Sequence, residues 1–203
     1  EKQRLLKECK IKKPKPLPPG AEEEKPYALP QGWERVRLGE MGYVIGGGTP
    51  SKSDPLLWNG SIPWVSPKDM KSDYIVDSRD HVATDALYKS PIKLIPKNSL
   101  LMVVRGMILA HSFPTALTKT EVTINQDMKA ICSYVECLQS YLLTYTRGMK
   151  HSFLSLVEHS THGTRRIDSE KLLASVVALP PRLEQDRILE RIKTLTVMCD
   201  ELE

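Results

Sequence analysis

The densest run of polar chemistry in this chain is His159-Ser160-Thr161-His162-Gly163-Thr164-Arg165-Arg166. It gathers hydroxyls, two imidazoles and two guanidiniums around a glycine, and no apolar periodicity pulls any of them inward. A guanidinium can fork onto two acceptors, such as guanine O6 and N7, and a glycine lets backbone approach closely. His162, Thr164, Arg165 and Arg166 are therefore candidate nucleic-acid contacts, set against the plainer use of such a run as a solvated loop or structural anchor. Ser66, Lys68 and Lys71 flank Pro67 just past a predicted strand. Hydroxyl and ammonium groups there suit phosphate oxygens, though ordinary exposed lysines account for them equally well. Arg105 emerges beside Gly106 at the end of an apolar run, and Asn125-Gln126 offers two carboxamides that match adenine N6 and N7. A turn-capping role is the commoner use of such an Asn.

Catalytic patterns are missing. Methyl transfer from S-adenosylmethionine to a flipped base would need a Gly-rich turn and an N/D-P-P-Y/F type motif. Asn125-Gln126-Asp127-Met128 has the wrong residues for that motif. Gly46-Gly47-Gly48-Thr49 lacks the G-K-[ST] of a phosphate-binding loop and reads as a flexible turn between strands. His81, His111, His151, His159 and His162 show no H-E-x-x-H spacing, and Ser66 and Ser112 have no G-x-S-x-G elbow. Asp127 and Glu170-Lys171 are too scattered to read as a nuclease site. Cys9, Cys132, Cys137 and Cys199 lack C-x-x-C pairing, so they read as reduced thiols of a cytoplasmic protein, not as zinc ligands or a disulfide scaffold. The expectation is no catalysis, no cofactor and no metal. The rival is an enzyme whose dispersed site joins His111, Asp127 and His162.

The elements that must position these groups are mostly short strands. Val- and Ile-rich runs bounded by Gly, Pro and Asn lie at residues 33–38, 43–45, 62–66, 94–95, 100–104, 108–110 and 129–135, with a last one at 172–179. Leu138, Tyr141, Leu142, Tyr145 and Met149 recur at helical spacing. Trp33, Trp58 and Trp64 read as core, because only 6% of residues are aromatic and packing needs them; Met102, Met107 and Met128 read likewise. Beyond Pro180-Pro181 the pattern changes. Ile188, Ile192, Leu195, Cys199 and Leu202 follow the rhythm of a helix that meets a partner along a narrow seam. Pro181 suits a helix start, as Glu184 and Asp186 suit its positive end. The expected division is a partly helical, then Pro/Lys-rich linker over 1–28, an α+β domain over 29–180, and a coiled-coil helix over 181–203. The domain should hold short, mostly antiparallel strands with a few helices.

With 203 residues the chain can bury a real core. The net charge of +4 is too small to demand a polyanionic partner, so clustering of charge must decide that. No apolar run approaches the roughly 20 residues of a membrane span. Lacking an initiator Met, the chain reads as a fragment or trimmed piece.

Three blocks together resemble the specificity subunits of type I restriction-modification enzymes. The opening one is Leu29-Pro30-Gln31-Gly32-Trp33-Glu34, followed by Leu38-Gly39-Glu40. The most diagnostic runs from Gly47-Gly48-Thr49-Pro50-Ser51 through Trp58-Asn59-Gly60-Ser61-Ile62-Pro63-Trp64-Val65-Ser66-Pro67-Lys68-Asp69-Met70. The closing one, Leu179-Pro180-Pro181-Arg182-Leu183-Glu184-Gln185-Asp186-Arg187-Ile188, is similar to the family's L-P-P-L-x-E-Q-x-R-I junction into a spacer helix. The resemblance implies a non-catalytic target recognition domain that reads one half of a bipartite double-stranded DNA site. It also implies a second recognition domain, an antiparallel helical spacer, methyltransferase (modification) subunits on that spacer, and motor-nuclease (restriction) subunits for cleavage. The alternative is an assembly module that works mainly through its C-terminal helix.

Overall fold

The computed structural model describes residues 2–7, 28–135, 137–159 and 164–201. Helix α1 (Lys2–Lys7) precedes the body, which opens with β1 (Glu34–Arg37), β2 (Gly42–Gly46), β3 (Trp58–Val65), β4 (Tyr74–Ile75) and β5 (Asp80–Val82). Then come α2 (Ala86–Lys89), β6 (Leu100–Val103), β7 (Thr115–Thr118), β8 (Thr123–Ile124), β9 (Met128–Ser133), α3 (Gln139–Gly148) and α4 (Lys150–Leu154). The last elements are β10 (Val157–His159), β11 (Arg165–Ile167), α5 (Ser169–Ala174), β12 (Val176–Leu179) and the long α6 (Arg182–Asp200). This is the α+β class read from the sequence: the strands are short and pair antiparallel, apart from β3 with β8 and β4 with β7.

A five-stranded sheet in the order β2-β9-β6-β7-β4 carries the main core. Its central strand, Leu100-Leu101-Met102-Val103, is buried on both faces, which is why it reads as a continuous apolar run without alternation. Helix α3 lies against β7 and β6. The Tyr141 and Tyr145 hydroxyls donate to the Ala178 and Val176 carbonyls, so the helix is fastened to β12 as well. A smaller sheet, β5-β3-β8, holds a second cluster of Leu57, Trp64, Val82, Ala86 and Ile92.

The opening and closing sequence blocks meet. β1 pairs antiparallel with β12, Glu34 opposite Leu179 and Arg37 opposite Val176. Arg37 is buried and donates to the Ala174 carbonyl, and the buried Gln185 Nε2 donates to the Pro180 carbonyl at 2.9 Å. α6 begins there, with Arg182 Nη1 donating to the Cys137 carbonyl at 2.7 Å and Ile188 packing on the core. From residue 190 to 201 every position is exposed, so the helix runs clear of the body.

Several local expectations change. Residues 108–110 are no strand: Met107–Ala110 forms a 3-10 turn that buries only Leu109, because Gly106 at φ 135° swings the chain out of the ladder. The run 172–179 splits into α5 and β12, since the Asp168 side chain accepts from the Glu170 and Lys171 amides and caps a short helix first. Leu94-Ile95 contributes one isolated bridge, Ile95 to Val122. Met102 and Met128 are core, whereas Met107 is 65% exposed on that turn. Trp64 is buried; Trp33 and Trp58 are half-buried. Ile188 packs against its own domain and so is not open to a partner helix, and Leu202 lies outside the described residues.

Candidate nucleic-acid interface

The glycine segment before β3 is a packed strap. The Gly47 and Gly48 amides donate to the Met128 and Ile124 carbonyls, and a Cβ on Gly47 would overlap the Asn125 carbonyl oxygen. Two indoles hold the strap down, Trp64 Nε1 on the Gly48 carbonyl and Trp58 Nε1 on the Ser51 carbonyl, both at 3.0 Å. The flexible turn expected here is thus a clamp, and what it clamps is the turn carrying Asn125, Gln126 and Asp127.

Within that turn, Asn125 is 6% exposed and its Oδ1 accepts from the Asp127 amide at 3.1 Å. Its carboxamide is spent on an Asx turn, so the turn-capping use replaces the base-reading one. Gln126 is exposed at the tip. Its Oε1 accepts from the Thr49 hydroxyl of the strap, and its Nε2 donates to Asp127 Oδ2 at 3.3 Å.

Arg105 is drawn to the same place. The Val104 and Arg105 amides donate to the Asp127 carbonyl, and Arg105 Nε lies 3.4 Å from Asp127 Oδ1. β11 then bonds to this loop: the Ile167 amide donates to the Val104 carbonyl and the Gly106 amide to the Arg165 carbonyl, giving a bridge between Arg105 and Arg166. Arg166 is exposed, 3.7 Å from Glu158 on β10, while Arg165 is half-buried. Arg105, Gln126 and Arg166, drawn from three distant segments, are thus brought to one rim, Arg105 and Arg166 on the same face. Arg165, the neighbour of Arg166 on β11, lies on the opposite face with Ile167. Thr164 is half-buried beside them in sequence; His162 lies outside the described residues.

Ser66, Lys68 and Lys71 stand elsewhere. The Ser66 hydroxyl and amide both donate to Asp69 Oδ2, at 2.7 and 2.8 Å, so Ser66 closes a turn and is not free to hold phosphate. Lys68 and Lys71 are exposed on a groove of about 490 Å³ whose other wall carries Arg147 and Lys150 from the junction of α3 and α4. Ile108 and Ser112, just past Arg105 in the chain, line the same groove. Sequence reading missed Thr49, Arg147 and Lys150. Only Thr49 had a local cue, its place in the glycine block; the other two look like ordinary helix-surface cations.

Electrostatics around the rim are simple. Amides of Lys171 and Glu170 hold the Asp168 carboxyl below its usual range, with Lys171 and Arg166 adding charge attraction. The Glu158 carboxylate, bonded to Lys171 Nζ at 2.6 Å, raises that ammonium. Lys129, on β9, is pushed down by burial. Among the described residues, no group of His, Cys, Asp and Glu is placed to hold a metal ion. A second cavity, about 590 Å³ between β1, α4 and α5, is lined by Tyr145, Met149, Phe153 and Val176, with Arg35 and Lys171 near its edge.

The family model for the type I restriction modification DNA specificity domain matches residues 30–203. The chain belongs to this family. It is 40% identical over 163 residues to the Escherichia coli type I restriction enzyme EcoR124I/EcoR124II specificity subunit, covering 78% of this chain and 40% of that protein. The EcoAI specificity subunit of Escherichia coli is 28% identical over 217 residues, covering all of this chain and 35% of the relative. The chain thus spans well under half the length of these curated relatives. A solved HsdS subunit from Thermoanaerobacter tengcongensis superposes with a TM-score of 0.66 at 21% identity, over 87% of this chain and 40% of that one. A chain from a study of complex assembly and conformational transition of the type I R-M system gives 0.66 at 22%, over 98% and 44%. These likenesses show that the specificity-domain fold extends through the body described above. No described helix is long and apolar enough to cross a membrane.

Proposed function

We propose that this specificity domain binds double-stranded DNA and reads one half of a bipartite target for a type I restriction-modification complex. One observation supports the reading: strap, turn and β11 are bonded together so that Gln126, Arg105 and Arg166 come to a single rim. A carboxamide and guanidiniums are the groups that pair with adenine and guanine edges. Held by backbone bonds, they are ordered before DNA arrives, so less is lost on binding. Thr164 and His162 belong to the same reading through their place in the β10–β11 connection, and Lys68 and Lys71 supply phosphate contacts that orient the domain without reading sequence.

The domain does no chemistry of its own in this reading, and acts in the cytoplasm. Methylation and cleavage come from modification and restriction subunits, with the free part of α6 as the connection. Ile192 and Leu195 are 42% and 44% exposed there, with Val197 and Met198 also uncovered, and apolar side chains so placed favour a partner helix. A second recognition domain on the other side of that helical spacer would read the other half.

The test is Arg105→Ala with Arg166→Ala in the full specificity subunit, assembled with its modification subunits. Methylation-site mapping should lose the target, with binding to it reduced about tenfold or more, since a good bidentate base contact carries roughly 1–3 kcal/mol of discrimination. Unchanged methylation at unchanged sites would sink the reading.

A further inference from the structure

The groove between Lys68 and Lys71 on one wall and Arg147 and Lys150 on the other joins the end of the second sequence block to the junction of α3 and α4, and its second pair of cations is assigned no role above. Lys150 is half-buried against its edge. Phe113, Pro114 and Ile108 form the lining between the walls, with Ser112 among them. An apolar base below cationic rims suits a ribbon with a charged edge and an uncharged body. A DNA strand presents that face: phosphate oxygens outermost, deoxyribose carbons behind them. The groove is also tied to the reading rim through the chain, since groove-lining Ile108 follows Arg105 by three residues.

Two carboxylates adjoin residues of this groove among the described residues. Asp69 is engaged by the Ser66 hydroxyl and the Ser66 and Arg79 amides. Asp73 forms an ion pair with Arg147, whose Nη2 also donates to the Thr115 carbonyl at 3.4 Å. Arg147 is thereby fixed in place and part-neutralised, while Lys68, Lys71 and Lys150 carry no ion pair among the described contacts.

We infer that this groove is a track for the sugar–phosphate backbone flanking the half-site, held by Lys68, Lys71 and Lys150, with Asp73 setting its strength through Arg147. The inference rests on the DNA reading above and adds to it a second contact surface, made by the α3–α4 junction. Backbone contacts of this kind are blind to sequence and release counterions, so they show in salt dependence and not in site choice.

The experiment uses the assembled complex and a short random-sequence duplex, with affinity measured across a range of KCl concentrations. Lys71→Ala with Lys150→Ala should flatten the plot of log affinity against log salt by about 0.9 per lysine and leave the methylated sites unaltered. Asp73→Asn should do the reverse, steepening the plot by about 0.9 and tightening random-duplex binding, a gain that a damaged fold would not produce. Inorganic phosphate added at constant ionic strength should compete weakly and equally with wild type and Asp73→Asn, which separates a groove for a polyanion from a pocket for the free ion. Phosphate competition as strong as the duplex's own binding, or a salt plot unmoved in both variants, overturns the track. Failure of the wild-type complex to bind any duplex overturns the DNA reading and the track together, whereas the unmoved plot removes only the track.

Discussion

The seam where β1 meets β12 and the rim where Arg105 meets Arg166 are both built from distant parts of the chain, but they are written in the sequence very differently. At the seam, contacts fall inside compact blocks. Glu34 of the opening block pairs with Leu179 of the closing one, and Gln185 turns back onto Pro180 within five residues. At the rim, Arg105, Gln126 and Arg166 come from three segments with no shared spacing, and the link between them is backbone bonding plus an Asp127 carboxylate. The seam's residues are constrained by packing against one another; the rim's are constrained only in where their backbone sits. Side chains on the rim can change without disturbing the fold, whereas those at the seam cannot. The glycine strap stands between the two cases: its backbone packs like the seam's, while Thr49 on it touches the rim's Gln126.

This contrast can be broken at several points. Gly47→Ala is expected to have the largest effect, because a Cβ there overlaps the Asn125 carbonyl oxygen and neither backbone can retreat without releasing the turn. Overpacking of this sort costs about 1–3 kcal/mol or more, and urea denaturation should show a lower midpoint together with lost DNA binding. Stability within error of wild type would mean that the strap is not a clamp. Gln126→Ala should come next and be opposite in kind. Thermal unfolding should hold, and preference for the native target should fall by roughly 1–3 kcal/mol of discrimination in a competition assay. A large loss of stability with intact preference would move Gln126 from the rim to the seam.

Asp168→Ala removes the cap of α5 and should lower stability by about 1 kcal/mol. Its pH dependence has a definite sign. The folded state holds this carboxyl below its ordinary 3.8, so its contribution is present above the unfolded value and is lost as pH falls through the folded one. Melting of wild type and variant should therefore converge in acid below that ordinary value, by a small amount because the group is largely exposed. Divergence in acid would contradict the cap. The smallest effect on the body itself belongs to Ile192→Ser. It lies beyond the point where α6 leaves the domain, so melting of the body should shift within about 0.5 kcal/mol. Association through the helix should weaken in sedimentation experiments, and a destabilised body would show that the helix packs on its own domain.

Much of the molecule was legible in its residues, for specific reasons. β6 announced itself because a strand buried on both faces must be apolar throughout, and α6 because a helix with a free apolar seam must repeat. The family was readable because the residues that supply each side of the seam, and those of the strap, lie in contiguous blocks even though their partners are distant. Other features left no local trace. The 3-10 turn at Met107 looked like strand continuation, since nothing but the φ of Gly106 distinguishes them. Asn125 and Gln126 are chemically alike and adjacent, yet burial turns one inward to cap a turn and leaves the other at the tip.

The sequence alone determined the class of fold, the two blocks that close it and the helix that leaves it, because each depends on residues close together in the chain and on periodicities that burial imposes. Tertiary structure alone decided which polar groups come together. Arg105 joins Arg166, sixty-one positions on, and Lys71 faces Lys150 across a groove, because sheet pairing and helix docking bring backbones together without regard to what surface side chains they carry. Burial constrains the residues it covers and writes them into the sequence as pattern; exposure constrains only position, and position is known once the chain has folded.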